Sequence, residues 1–230
     1  MALFVAEGSR LVLDLLRSAP EKLNILCCTK EWFDVHPELE ILDSSRMRIL
    51  EEHQLQSISS LKSTEEVLAV FGFPEFGEFR INASELVIYL DRIRDPGNLG
   101  TIIRSADWFG LRQVYCTPDS VDVFNNKCVQ ASMASVMRVQ VCYESWETMK
   151  SKFSGIPRHA AIMEGTPYYQ LNPDDVQFIC FGNEALGLSK ELISDCPATI
   201  SIPAENGSRA ESLNLSIACS VLMAWKTKPR

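Results

Sequence analysis

The larger part of this chain is predicted to be an α/β fold on a mostly parallel sheet, and three observations carry that prediction. From about residue 84, short apolar runs at 86–90, 113–116, 139–143, 159–163, 176–181 and 198–202 alternate with helical stretches at 99–109, 125–136, 145–153, 189–194 and 213–226. Apolar strands separated by amphipathic helices are the pattern of parallel βαβ units. Beyond three of those runs the sequence turns polar and glycine-rich, and open parallel sheets bind ligands beyond the carboxyl ends of their strands. The chain is also large enough, since 230 residues with 46% hydrophobic content can build one large domain or two modest ones.

Residues 1–72 read as a separate small α/β unit. A helix over 8–16 carries Leu11, Val12, Leu15 and Leu16 on one side, at helical spacing. A strand follows at 23–28, and Arg48, Ile49 and Leu50 offer a second. Polar turns after Ile58 end in the apolar run Val67 to Phe71. Gly72, Pro74 and Gly77 then punctuate the chain, so 73–83 is assigned as a linker and 84–230 as the second domain.

In that domain the strand at 86–90 leads into the most informative helix. Asn98 is placed to cap it, its side-chain oxygen accepting a free N–H of the first turn. Ile102, Ile103, Ala106 and Phe109 give the buried face, and Gly110 stands where a left-handed residue ends a helix. Arg104 is the odd residue. A guanidinium in a mostly apolar helix emerges into solvent, pairs with Asp107, or meets an anionic ligand.

A second polar cluster follows the strand at 176–181. Gly182 there lets a ligand approach the backbone, Glu184 stands between two glycines, and Ser189 caps the next helix. The third cluster follows 198–202 and runs through Pro203 and a polar loop to Ser212, read as the N-cap of the last helix, with Asn214 two residues inside it. Leu213, Ile217, Val221, Leu222 and Trp225 give that helix an apolar stripe suited to a core or to a subunit interface.

Composition narrows the function. A net charge of −8 argues against non-specific nucleic-acid binding, which leaves a basic footprint. Residues 1–80 hold 8 basic and 14 acidic side chains, a balance of −6, and the remainder carries only −2. Any RNA contact therefore uses local patches such as Arg92, Arg94, Arg104 and Lys127. No apolar run is long enough to span a bilayer, and no signal-peptide pattern opens the sequence. Eight cysteines without a C-x-x-C pair, and only three histidines, disfavour a zinc site or a disulfide framework. No metal is expected, and a reducing cytoplasm fits best. The phosphate-binding patterns G-x-G-x-x-G and G-K-[ST] and the hydrolase elbow G-x-S-x-G are absent, so ordinary dinucleotide binding, P-loop hydrolysis and serine hydrolysis lose support.

The three polar clusters, in this order, resemble the SpoU/TrmH family of RNA ribose 2′-O-methyltransferases, within the SPOUT superfamily. Its first motif is matched by Asn98, Gly100, Arg104, Ala106, Phe109 and Gly110; its second by Gly182, Glu184, Gly187 and Leu188; its third by Ile202, Pro203, Ser212, Leu213, Asn214, Ser216 and Ala218. The match covers about 84–226. Ala134 after Ser132 and Met133, Gln140, and a long loop from Pro203 to Ser212 depart from the family pattern. The N-terminal unit looks like the small substrate-RNA domain of many members, and its abrupt start implies that a preceding helix is missing.

The resemblance implies a SPOUT-type α/β domain with a C-terminal trefoil knot, a topology that periodicity does not reveal. It implies S-adenosyl-L-methionine bound against backbone groups of Gly182, Ile202 and Leu213, and a homodimer whose active site is completed across the interface. Arg104 would engage the phosphate of the target nucleotide and promote loss of the hydroxyl proton, by taking it or by stabilising negative charge. Asn98 and Glu184 would hold the ribose or Arg104, and Ser212 and Asn214 would shape the same pocket. Structured RNA is the implied partner, ribosomal RNA ahead of transfer RNA. Two alternatives are a non-catalytic RNA- or ribosome-binding module that retains the knot, and a small-molecule nucleotide enzyme of ordinary doubly wound type.

Overall fold

In the computed structural model, residues 2–61, 66–77 and 85–227 are described. The first part of the chain forms β1 (Leu3–Glu7), α1 (Ser9–Ser18), β2 (Leu23–Cys28), α2 (Lys30–Asp34), β3 (Met47–Ile49), α3 (Glu52–Ile58) and β4 (Val67–Gly72). These strands make a four-stranded sheet in the order β1-β4-β2-β3, in which β4 runs antiparallel to both neighbours and β3 parallel to β2. β1, α2 and α3 were not anticipated. β1 is legible in hindsight: Phe4 and Ala6 alternate inward and are buried, in antiparallel register with Phe71 and Ala69. The expected linker at 73–83 lies outside the described residues from 78 onward, as does residue 84.

The second part contains β5 (Val87–Leu90), α4 (Pro96–Trp108), β6 (Gln113–Cys116), α5 (Asn126–Ser132), β7 (Gln140–Tyr143), α6 (Trp146–Lys152), β8 (Arg158–Ala161), β9 (Phe178–Phe181), α7 (Lys190–Asp195), β10 (Ala198–Ile200) and α8 (Leu215–Lys226). Its six strands form one parallel sheet in the order β10-β8-β9-β5-β6-β7. All six begin and end within two residues of the expected positions. The α5 region is the main departure, because Met133 adopts φ 53° and the expected helix over 125–136 breaks into α5 and a 3₁₀ turn over Met133–Met137.

Helices cover both faces of the large sheet, and β5 shows how the period of two sorts its residues. Ile88 and Leu90 enter the core beneath α4, α5 and α8, with Leu99, Ile103, Cys128 and Leu222. Val87 and Tyr89 point the other way, into a second core with Trp146, Phe178 and Leu192 under α6 and α7. Strands buried on both faces read as continuous apolar runs, which is why they were easy to find.

The two sheets share a joint. Phe124 stacks on Phe73 at 3.6 Å and on Phe4 at 5.3 Å between ring centroids. Beside it Asn126 donates to Ser60 Oγ at 3.2 Å and the Arg138 guanidinium to Ser18 Oγ at 3.2 Å. The four-stranded sheet is thereby packed against the side of the large sheet where α4 and α5 lie.

Candidate active site at the carboxyl edge of the large sheet

Parallel strands end together, so the polar segments after β5, β9 and β10 meet along one edge. After β5 the chain is tied down before α4 begins. Buried Asp91 accepts from the Arg92 guanidinium at 3.0 Å and from the Ser189 N–H at 2.8 Å. The same carboxylate raises the Arg92 pKa. Arg92 sits at φ 55°, a left-handed conformation costing a non-glycine residue about 1–3 kcal/mol. It is held there by its N–H donating to Thr117 Oγ1 at 2.7 Å and its carbonyl accepting from Asn183 Nδ2 at 2.7 Å.

Asn98 does not cap α4. Asp95 does, accepting from the Asn98 N–H at 2.7 Å, with Pro96 pre-set for the first helical position. The cap moved upstream because proline has no N–H and belongs at the first helical position, leaving Asp95 as the flanking residue. The Asn98 side chain is thereby free for tertiary contacts. Its Nδ2 donates to Glu184 Oε1 at 2.8 Å, and its Oδ1 accepts from Asn214 Nδ2 at 2.9 Å. Asn98, Glu184 and Asn214, separated by as much as 116 positions, form one hydrogen-bonded row.

Ser212 does not cap α8 either. Asn214 is the N-cap, its Oδ1 accepting from the Ser216 N–H at 2.9 Å and from Ser216 Oγ at 2.6 Å. α8 accordingly begins at Leu215, leaving exposed Ser212 and Leu213 in the approach to it. Gly110 ends the α4 segment at φ 78° and Ser189 caps α7, both as expected.

Arg104 is exposed and stands apart from this row. It lies six residues beyond Asn98, roughly 240° around the helix, and so faces away from the Asn98 side chain. It does not pair with Asp107, which is taken by Arg138 at 2.8 Å and by Ser135 Oγ at 2.7 Å. Among the described residues Arg104 makes no ion pair or hydrogen bond. A single chain therefore gathers Asn98, Glu184 and Asn214 but not Arg104.

The backbone at the expected cofactor positions is open. The N–H groups of Gly182, Ile202 and Leu213 have no hydrogen-bond partner among the described residues. At Gly182 a Cβ would lie 2.1 Å from Gly187 C and Leu188 N, so the turn from 182 to 188 closes tightly on glycine. Open donors along a strand-end edge, with half-buried Ile202 and exposed Leu213 beside them, fit a polar ligand that has an apolar flank. Burial pushes the Cys128 thiol up to about 12 and raises Cys116 and Cys219 as well, so none of these three is a ready nucleophile.

Sequence reasoning missed Asp91, Asp95 and Asn183. Buried Asn183 accepts from the N–H groups of Ala185 at 2.9 Å and Leu186 at 3.1 Å, and so shapes the turn that presents Glu184. The usable signal was an Asp or Asn immediately beyond a buried strand, where short polar side chains bond to neighbouring backbone.

The chain matches the SpoU rRNA Methylase family over residues 85–224. It belongs to that family. It is 26% identical over 223 residues to the 23S rRNA (guanosine(2553)-2′-O)-methyltransferase RlmP of Bacillus subtilis, covering 96% of this chain and 86% of the relative. Among solved structures it superposes on a TrmH-family protein from Porphyromonas gingivalis with TM-score 0.79, at 31% identity, covering 97% of this chain and 89% of the other. An AdoMet-bound rRNA methyltransferase from Sinorhizobium meliloti superposes with TM-score 0.73 at 26% identity, covering 97% and 86%. The reading of the three motifs as those of this family is thereby borne out.

Proposed function

We propose that this protein transfers a methyl group from S-adenosylmethionine to a ribose 2′-hydroxyl of ribosomal RNA. Membership of the family makes it an S-adenosylmethionine-dependent RNA methyltransferase, and relatives named for ribosomal RNA favour that substrate over transfer RNA. The observation that carries the reading is the Glu184–Asn98–Asn214 row, which joins all three family segments at one strand edge. A non-catalytic binder has no need of that arrangement. The cofactor, when bound, supplies an electrophilic methyl on sulfur, and the open N–H groups of Gly182, Ile202 and Leu213 are the residues to hold it. Asn98, Glu184 and Asn214 orient the ribose, with Ser212 at the approach. A guanidinium stays protonated in proteins, so Arg104 acts by gripping the target phosphate and stabilising charge on the 2′-oxygen.

In this reading Arg104, which faces away from Asn98 on its own helix, serves the row of a second copy, and the active unit is a homodimer. Its interface is the face shared by α4 and α8, which Ser105 and Ser220 lock together at 2.7 Å and where Ile217 is 51% exposed. A C-terminal trefoil knot is supported by the path of the chain. β10 lies at the sheet edge, yet α8 packs on α4, so the segment between them must return across the sheet. The reading further comprises a small RNA-binding domain over 1–72, a linker over 73–83 and a methyltransferase domain over 84–230. A cytoplasmic location is supported by eight free cysteines.

The test is transfer of labelled methyl from S-adenosylmethionine to purified ribosomal and transfer RNA, with Arg104→Ala as control. A 2′-O-methyl nucleotide appearing in the ribosomal pool is expected, with a drop of about 10²–10³-fold in the variant and cofactor affinity retained. Loss of cofactor binding together with activity would sink the role given to Arg104.

A further inference from the structure

Between α1, the 3₁₀ turn over Met133–Met137 and α4, a groove of about 360 Å³ opens away from the Asn98 row, lined by Arg10, Asp14, Arg104, Asp107, Trp108 and Arg138. That volume is at the lower end for a small-ligand site. Trp108 is 85% exposed, whereas Trp32 and Trp146 are 2% and 6% exposed. Trp108 stands one helical turn beyond Arg104, on the same face of α4. Of the three guanidiniums here, Arg138 is committed to Asp107 at 2.8 Å. Arg10 and Arg104 make no ion pair or hydrogen bond among the described residues. In a chain of net charge −8, two free guanidiniums beside a bare indole are a local exception. The Asp14 carboxylate on the same wall opposes an anion but can accept from a ribose hydroxyl or from a base N–H.

A flat aromatic surface flanked by unpaired arginines is what a single RNA strand uses: the base stacks and the phosphate takes the guanidinium, whatever the sequence. We propose that this groove is a subsite for an unpaired nucleotide neighbouring the one methylated, with Trp108 as its stacking platform and Arg10 as its phosphate grip. This rests on the methyltransferase reading above and deepens it. Arg104 lines this groove as well, so a strand whose target phosphate it grips would pass directly by the subsite. The four-stranded unit contributes to substrate binding through Arg10 on α1, against its overall acidic charge.

The experiment measures binding of a fluorescein-labelled twelve-residue oligoadenylate RNA to the full chain across a salt series. Trp108→Ala is expected to weaken binding about 5- to 150-fold, the range for loss of one stacked base, and Trp108→Phe to recover most of the loss. Arg10→Ala is expected to lower the slope of log affinity against log salt by about 0.7, one phosphate contact on a single strand. In methyl transfer the loss should fall in KM for RNA, with cofactor affinity and oligomeric mass unchanged. Wild-type affinity in both alanine variants, or no oligoadenylate binding by the wild type, overturns the proposal. A fall in oligomeric mass with Trp108→Ala also overturns it, by assigning the indole to a second copy of the chain. Failure of the wild type to methylate any RNA would remove the reaction, while the oligoadenylate result would still judge the groove.

Discussion

The Asn98 amide uses its donor and its acceptor at once, giving to Glu184 and taking from Asn214. Asn98→Asp keeps the shape and removes the donor, setting a second carboxylate against Glu184. Like charges at such range disfavour ionisation of one partner and push the groups apart. Methyl transfer is expected to fall by about 10²-fold, the scale of a small misplacement of reacting groups, with S-adenosylmethionine affinity by calorimetry as the control. His159 makes a different residue-scale prediction. It is buried in β8 with Nδ1 unpartnered among the described residues, and burial lowers its pKa from the ordinary 6.5. The unfolded chain therefore binds more protons in the window between the lowered value and about 6.5. Its contribution to stability is complete above that window and is lost as pH falls through it. Urea midpoints at pH 7.5 and 5.5 should differ more for the wild type than for His159→Leu.

At the scale of elements, the site depends on how closely α4 approaches α5. A Cβ on Gly100 would lie 2.4 Å from the Cys128 carbonyl oxygen and 2.7 Å from Ala131 Cβ. These are helix atoms that cannot move independently, so Gly100→Ala displaces α4 and with it Asn98 and Arg104. A loss of about 1–3 kcal/mol is expected, as for overpacking elsewhere. Urea denaturation checks it, and an unchanged midpoint would show that α4 can slide. Along the large sheet the existence of each helix was legible from periodicity, but the starts of α4 and α8 were not. Asn98, Ser212 and Asn214 are all competent caps by residue type, and only packing decides which of them turns its side chain inward. Once Asp95 and Asn214 hold the helix ends, Asn98 is left for the tertiary row.

For the whole molecule, the placement of Arg104 sets the experiment. With mass 25.8 kDa per chain, sedimentation should give a species of twice that mass. Arg104→Ala and Glu184→Ala should each be inactive as homodimers. Mixed and allowed to exchange, they should recover part of the wild-type rate, because one of the two sites in a heterodimer then combines an intact Arg104 with an intact Glu184. No recovery after demonstrated exchange would place both residues in a single-chain site and contradict the geometry of α4.

The sequence by itself determined the parallel α/β architecture, the position of every strand of the large sheet, and the three segments that carry the chemistry. Strands buried on both faces are written as unbroken apolar runs, and ligand-facing strand ends are written in glycine and short polar side chains. β1 escaped notice because a strand paired with a segment 60 and more positions away leaves little local trace, and its partner β4 was legible only as an apolar tail. Tertiary structure alone decided that Asn98, Glu184 and Asn214 meet, that Asp91 and Asn183 brace the loops presenting them, and that Arg104 points elsewhere. Hydrogen bonds across 86 or 116 positions depend on strand order and helix rotation, and neither is encoded in local periodicity.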